Sequence, residues 1–152
     1  MVDIIHRVGI RAPIPEVYDA VATVRGVAGW WSEETTGESE RGGRIGIRFR
    51  TPAGEVKGHM AMRVTTLMPE REVRWHFESG PQEWIGTDAV FELSRDGEYT
   101  VVLFSHLGWR EQVEFMAHCS TKWASFMMSL KDYVETGKGR PAPHDVKIDN
   151  WN

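Results

Sequence analysis

The side chain best suited to chemistry in this chain is His106, which lies at an inward position of an alternating strand pattern. An imidazole titrates near neutral pH, so it could hydrogen-bond a carbonyl group of a bound molecule or shuttle a proton. The alternative is a buried histidine whose ring nitrogens are satisfied by a backbone or hydroxyl group, which is the more common arrangement. Both interpretations of His106 stay open at the level of sequence.

The other reactive side chains do not form a catalytic or metal-binding pattern. His59 and His76 fall on outward strand positions, and His118 directly precedes the single cysteine, Cys119, on a helix. Zinc requires about four ligands, and neither an HExxH motif nor a paired-cysteine spacing is present. The sequence therefore predicts no metal and no cofactor, and it predicts no catalytic residue unless His106 acts as one.

A larger set of apolar side chains is predicted to face the same interior. Seven tryptophans, seven methionines and six phenylalanines supply more bulky, adaptable surface than an ordinary core of this size requires. Together they would line a pocket for a hydrophobic or aromatic molecule, although a filled core is the alternative. The predicted lining residues are Trp31 at the mouth, Phe49, Met60, Met62, Trp75, Phe77, Phe91, Phe104, His106, Trp123, Phe126 and Met127.

Composition limits the classes of partner. The 152 residues are 41% hydrophobic and 26% charged, which is typical of one soluble domain spanning residues 1–152. A formal net charge of -4 and the lack of a basic stretch argue against nucleic acid. No apolar run approaches the ~20 residues of a membrane span, and no signal segment is evident, so we expect a cytoplasmic location.

Periodicity predicts the order of the elements. Alternating residues indicate a first strand at 2–11, and residues spaced as in a helix follow Pro15 to about Arg25, with a second helical turn at 26–31. Spacings of three or four residues indicate a long helix at 111–135, stopped by Gly137, and Trp151 is expected to dock the tail that follows, residues 137–152. Between the helices, alternation predicts strands at 35–39, 44–50, 56–64, 73–78, 84–94 and 99–107.

The last two strands form a predicted hairpin. If Asp96 and Gly97 are its two loop residues, Arg95 pairs with Glu98, and counting back places His106 on the inner face. The outer face of the same strands would carry a small apolar patch of Val90, Val101 and Leu103. This patch could seat the tail or a second copy of the chain, so a homodimer is compatible with the sequence.

One strand, two short helices, about six further strands and a long helix make an α+β order, in which a curved antiparallel sheet buries one face on the last helix. Four segments carry a resemblance to a known family: residues 12–18, 29–32 and 101–109, and the helix that bears Trp123. Through them the chain resembles the helix-grip (START, birch-pollen-allergen-like, SRPBCC) superfamily, and is similar to its bacterial branch related to activators of the 90-kDa heat-shock protein ATPase.

The resemblance implies a cavity between sheet and helix that holds lipids, polyketides or other ring-bearing molecules. Binding of a small hydrophobic or aromatic molecule is therefore the leading functional hypothesis. One alternative is a cyclase or dehydratase that uses His106. Another is a protein-interaction module, a chaperone regulator by analogy with the family, that uses the outer apolar patch.

Overall fold

The sheet of this protein contains seven antiparallel strands. The computed structural model describes residues 2–151, so Met1 and Asn152 of the predicted domain lie outside the described range. The strand order β1-β7-β6-β5-β4-β3-β2 places the first strand beside the last. The predicted α+β helix-grip fold is confirmed. Its elements are β1 (Val2–Ile10), α1 (Ile14–Ala22), α2 (Val24–Trp30), β2 (Glu34–Gly37), β3 (Arg44–Arg50), β4 (Val56–Met68), β5 (Glu72–Ser79), β6 (Asp88–Asp96), β7 (Tyr99–Trp109) and α3 (Glu114–Thr136).

The two short helices are separated at Thr23, so the predicted continuation of the first helix to Arg25 is wrong. Thr23 has an extended backbone, and its hydroxyl oxygen accepts a hydrogen bond from the Gly26 N–H at 2.9 Å. This is an N-cap, which begins a new helix rather than extending the old one. Gly26 then packs so closely on α1 that an added Cβ would lie 2.6 Å from the Ala20 Cα atom.

The β6–β7 hairpin turns one residue later than predicted. Its loop residues are Gly97 and Glu98, and Asp96 pairs with Tyr99. Gly97 has a φ of 61°, which fits a type II′ turn with glycine at the first central position. The predicted pairs are therefore wrong by two residues along β7. Because side chains alternate with a period of two, this shift leaves every residue on its predicted face, and His106 still points inward.

The segment before β6 is a turn, so the prediction that the strand begins near Trp84 is wrong. β6 begins at Asp88, and Trp84 reaches the core from the preceding turn, where its side chain is only 7% exposed. Its ring lies 4.9 Å from that of Phe77 and stacks on that of Trp123 at 5.7 Å, measured between centroids. Aromatic packing therefore holds this turn against α3.

The long helix α3 ends where the sequence predicts. Gly137 has a φ of 86°, and its N–H donates to the carbonyl oxygen of Tyr133, as in a left-handed helix cap. The buried stripe of α3 includes Met116, Cys119 and Trp123 and faces the sheet. No helix within residues 2–151 is long and apolar enough to cross a membrane.

The tail runs back across the end of α2. Ala142 donates its N–H to the carbonyl oxygen of Trp31 at 2.8 Å and accepts a hydrogen bond from the N–H of Glu33 at 3.1 Å. Farther along, the Asp145 carboxylate forms an ion pair with Lys122 on α3. Trp151 lies over Phe115 and His118, with centroids 6.4 and 5.6 Å away, but it remains 45% exposed. Main-chain hydrogen bonds and an ion pair thus anchor the tail more firmly than its tryptophan does.

The outer face of β6 and β7 is less exposed than the predicted apolar patch requires. Val90 and Val101 are only 5% and 6% exposed, and Leu103 is half-buried. The neighbouring edge strand β1 carries a more accessible apolar side chain, Ile5, which is 63% exposed. The exposed apolar surface on this face is therefore centred on β1.

Candidate functional site

A cavity of about 480 Å³ opens between β3, β4, the turn at 80–84, α3 and the tail. Its position follows from the fold, because the curved end of the sheet diverges from α3 and the tail closes the gap only in part. Its walls are mainly large apolar side chains, and its mouth carries charged ones. The apolar walls are formed by Trp31, Phe49, Met60, Pro81, Trp84, Phe115, Trp123, Phe126 and Trp151.

The structure places five of the twelve predicted lining residues on this cavity. They are Trp31, Phe49, Met60, Trp123 and Phe126. The other seven do not line the cavity; they pack in the interior where the side chains of β4 to β7 meet α3. These seven are Met62, Trp75, Phe77, Phe91, Phe104, His106 and Met127. The interior therefore contains a filled core beneath β5–β7 and an open cavity beneath β3 and β4.

Trp31 forms the rigid centre of the cavity wall. Its ring stacks on Trp75 with centroids 5.6 Å apart and planes inclined by 1°, and it lies 5.0 Å from the ring of Trp123. Phe49 and Phe126 meet it edge-on at 6.0 and 6.5 Å. These ring contacts, together with an exposure of only 1%, pack the indole of Trp31 tightly into the wall.

His106 links two of the cavity walls from behind. Trp123 donates its Nε1–H to His106 Nδ1 at 3.1 Å, so the ring proton of the neutral imidazole lies on Nε2. That nitrogen is 2.7 Å from the hydroxyl oxygen of Thr87, which in turn donates to the carbonyl oxygen of Trp84. Both ring nitrogens are thus engaged. This series of hydrogen bonds connects Trp123 to Trp84 through His106 and Thr87.

The environment of His106 keeps it neutral. Burial lowers its pKa from 6.5 to about 3, although the charge of Asp88 acts in the opposite direction. The side chain is fully inaccessible to solvent, and none of its atoms reaches the cavity. The geometry is that of a satisfied core histidine, and it offers no free nitrogen to a ligand or a proton.

Cys119 and the other histidines provide no reactive centre in the walls. Trp84 donates its Nε1–H to Cys119 Sγ at 3.4 Å, and burial raises the pKa of this thiol to about 12, so it is not a thiolate at neutral pH. His118 pairs through Nδ1 with Asp149 at 2.7 Å. Within residues 2–151, no three His, Cys, Asp or Glu side chains converge as metal ligands would.

The mouth of the cavity is rich in cations. The lining includes four cations, Arg50, Lys57, Lys122 and Lys147, and among residues 2–151 one carboxylate, Asp145. Neither these residues nor the tail were among the predicted site residues, since a strand pattern does not show which loops and tails approach a cavity from outside. The turn residue Trp84 was missed because its segment was assigned to a strand. The one local signal for a turn in this segment is the glycine-proline pair at 80–81, three residues before Trp84.

Comparison with known proteins gives the family. Residues 11–135 match the family described as Activator of Hsp90 ATPase homolog 1-like protein. The chain belongs to this family. The matched region runs from directly after β1 to the last turn of α3, so it includes most of the cavity walls. The predicted relation to the heat-shock ATPase activator branch is thereby confirmed. A comparison with curated proteins gives no significant match.

Several solved structures share the fold of this family member. The solution structure of the Aha1 dimer from Colwellia psychrerythraea is 40% identical, with a TM-score of 0.78 over 91% of this chain and 100% of that one. SSP2350 from Staphylococcus saprophyticus is 17% identical, with a TM-score of 0.74 over 93% and 98% of the two chains. CalU16 from Micromonospora echinospora is 19% identical, with a TM-score of 0.70 over 93% and 77%. The latter two support the fold alone.

Proposed function

We propose that this protein binds a small hydrophobic or aromatic molecule in the cavity between β3, β4, α3 and the tail. The observation that carries the proposal is an open cavity of about 480 Å³ with walls built largely from aromatic side chains. This volume lies within the range of about 300–1,000 Å³ that ligand pockets occupy.

The rigid walls favour binding. Trp31 is clamped between Trp75 and Trp123, and Trp123 is itself held by its hydrogen bond to His106. A ligand that lies on these rings therefore does not have to order them, and the conformational entropy lost on binding is smaller. An enzymatic role for His106 lacks similar support, because both of its nitrogens are already bonded within the core.

The experiment uses a substitution that fills the cavity. An added Cβ on Gly58 would meet no heavy atom within 4 Å, and Gly58 pairs across the strands with Phe49 on the cavity wall. Gly58→Phe should therefore place its ring in the cavity without disturbing the core. Ala61→Phe, which adds the same ring to an outward position of β4, is the matched control.

The probe is N-phenyl-naphthylamine, an uncharged aromatic dye whose fluorescence rises in apolar sites. We expect saturable binding to the wild-type protein and to Ala61→Phe, and binding at least about tenfold weaker for Gly58→Phe, because one aromatic ring would displace the other. Equal binding by all three proteins, or no saturable binding by the wild type, would contradict the proposal.

We also propose that two copies of this chain associate, as the Aha1 protein of Colwellia psychrerythraea is described as a dimer. The support within this chain is Ile5, which is 63% exposed on the edge strand β1. Sedimentation velocity should show a dimer that Ile5→Arg shifts to a monomer. A wild-type protein that sediments as a monomer at every concentration would rule this association out.

A further inference from the structure

We infer that the ligand of this cavity is an amphipathic anion, whose apolar body lies on the aromatic walls and whose acidic group is held at the mouth by Lys57 and Lys147. This inference rests on the proposed function, since it names the chemical class of the molecule bound at the same site.

Among residues 2–151, the charges at the mouth leave positive charge without an ion-pair partner. Arg50 is neutralised by Glu34 at 2.5 Å, which leaves three lysines among the lining residues. Lys122 and Lys147 share one carboxylate, that of Asp145, and no salt bridge joins Lys57 to any of residues 2–151. The chain as a whole has a formal net charge of -4, so a cationic mouth opposes its overall charge.

The second carboxylate near the mouth is already engaged. Asp149 lies 2.7 Å from the ring of His118 and accepts a hydrogen bond from the main chain of Trp151. Lys122 is engaged as well, because its ammonium group pairs with Asp145 and lies 5.0 Å from the centroid of the Phe126 ring. Lys57 has no ion-pair partner among residues 2–151, and Lys147 only shares Asp145 with Lys122, at 3.4 Å, so these two lysines can receive an anion from outside.

The backbone of β4 presents Lys57 to this site. Phe49 pairs with Gly58 and Arg50 with Val56, so Lys57 is the extra residue of a β-bulge. A bulge redirects a side chain from its regular position, and the neighbouring Val56 is 53% exposed. Lys57 on β4 and Lys147 on the tail line the same cavity, although they lie far apart in the chain.

The electrostatics of Lys57 agree with this geometry. Partial burial and then the positive charge of Lys147 lower its pKa, and the carboxylates of Asp145 and Asp149 offset this only in part. Lys57 would therefore be stabilised as a cation by a further negative charge nearby. A carboxylate, sulfonate or phosphate at the end of an apolar ligand would supply that charge.

The test compares two dyes with the same aromatic skeleton. Anilinonaphthalene sulfonate carries an acidic group that uncharged N-phenyl-naphthylamine lacks. We expect the sulfonate to bind the wild-type protein more tightly than the neutral dye. Lys57→Gln should lower the affinity for the sulfonate by about threefold to tenfold and leave the affinity for the neutral dye unchanged. Lys138→Gln, an exposed lysine beyond the end of α3, is the matched control.

Salt provides an independent measurement. Raising the ionic strength from about 0.01 M to about 0.15 M should weaken binding of the sulfonate but not binding of the neutral dye. Equal affinity for both dyes, with no effect of Lys57→Gln, would overturn the inference and leave the proposed function standing. Failure of both dyes to saturate the wild-type protein would overturn the two together.

Discussion

Replacement of His106 by glutamine should change how stability depends on pH. The side chain is fully buried, and burial lowers its pKa from 6.5 to about 3. Above pH 6.5 neither the folded nor the unfolded chain binds a proton at this site. Between pH 6.5 and about 3 the unfolded chain binds one and the folded chain does not, so stability rises with pH in this window and is lost as the pH falls.

The magnitude follows from the two pKa values. Each pH unit between them corresponds to about 1.4 kcal/mol, so lowering the pH from about 7 to about 4.5 should remove about 2–3 kcal/mol of unfolding free energy through His106 alone. This loss is a large share of the about 5–15 kcal/mol that stabilises an ordinary domain. It should therefore be measurable by urea unfolding at a series of pH values.

Glutamine suits this test because its amide can accept a hydrogen bond from Trp123 and donate one to Thr87, yet it does not titrate. His106→Gln should lower the unfolding free energy at neutral pH. Between pH 6.5 and about 3, its unfolding free energy should depend less steeply on pH than that of the wild type, by the equivalent of about one bound proton. Coincident slopes for the wild type and His106→Gln would refute the description of His106 as a desolvated, neutral imidazole.

Two further substitutions test the packing around the site. Gly26→Ala should lower the unfolding free energy by about 2 kcal/mol and the melting temperature by roughly 4–8 °C, because its Cβ would lie 2.6 Å from the Ala20 Cα atom. Gly58→Ala, whose Cβ would meet no heavy atom within 4 Å, should leave the melting temperature nearly unchanged in the same calorimetric scan. Asp145→Asn should weaken its ion pair with Lys122 and make limited proteolysis within the tail about tenfold faster, whereas an unchanged cleavage rate would show that the ion pair does not hold the tail.

Binding at the cavity and stability of the core are linked through a few shared side chains. Trp123 forms part of the cavity wall and also donates the hydrogen bond that occupies His106. Removing that tryptophan would therefore change both binding and folding, and the result would not separate the two. Gly58→Phe and Lys57→Gln avoid this difficulty because neither residue belongs to the buried core.

Local patterns in the sequence predicted the order of the elements and the inner face of the sheet, but not every boundary. An alternation of two and a spacing of three to four predicted the strands of the sheet and the α3 helix, and Gly137 predicted the end of that helix. Even the misplaced hairpin loop left His106 on the inner face, because a shift of two residues along a strand preserves the alternation. The break at Thr23 was missed because the apolar spacing continues across it to Val24.

The division of the interior into core and cavity was decided by tertiary structure. Alternation shows that Phe49 and Phe91 share a face, but not that one lines an opening and the other is sealed, because this depends on how far the curved sheet stands from α3 at each strand. The charged mouth depends on a β-bulge at Lys57 and on a tail that returns from beyond α3. Contacts between residues so distant in the chain leave no local periodicity, so only the folded arrangement brings aromatic walls and lysines to one site.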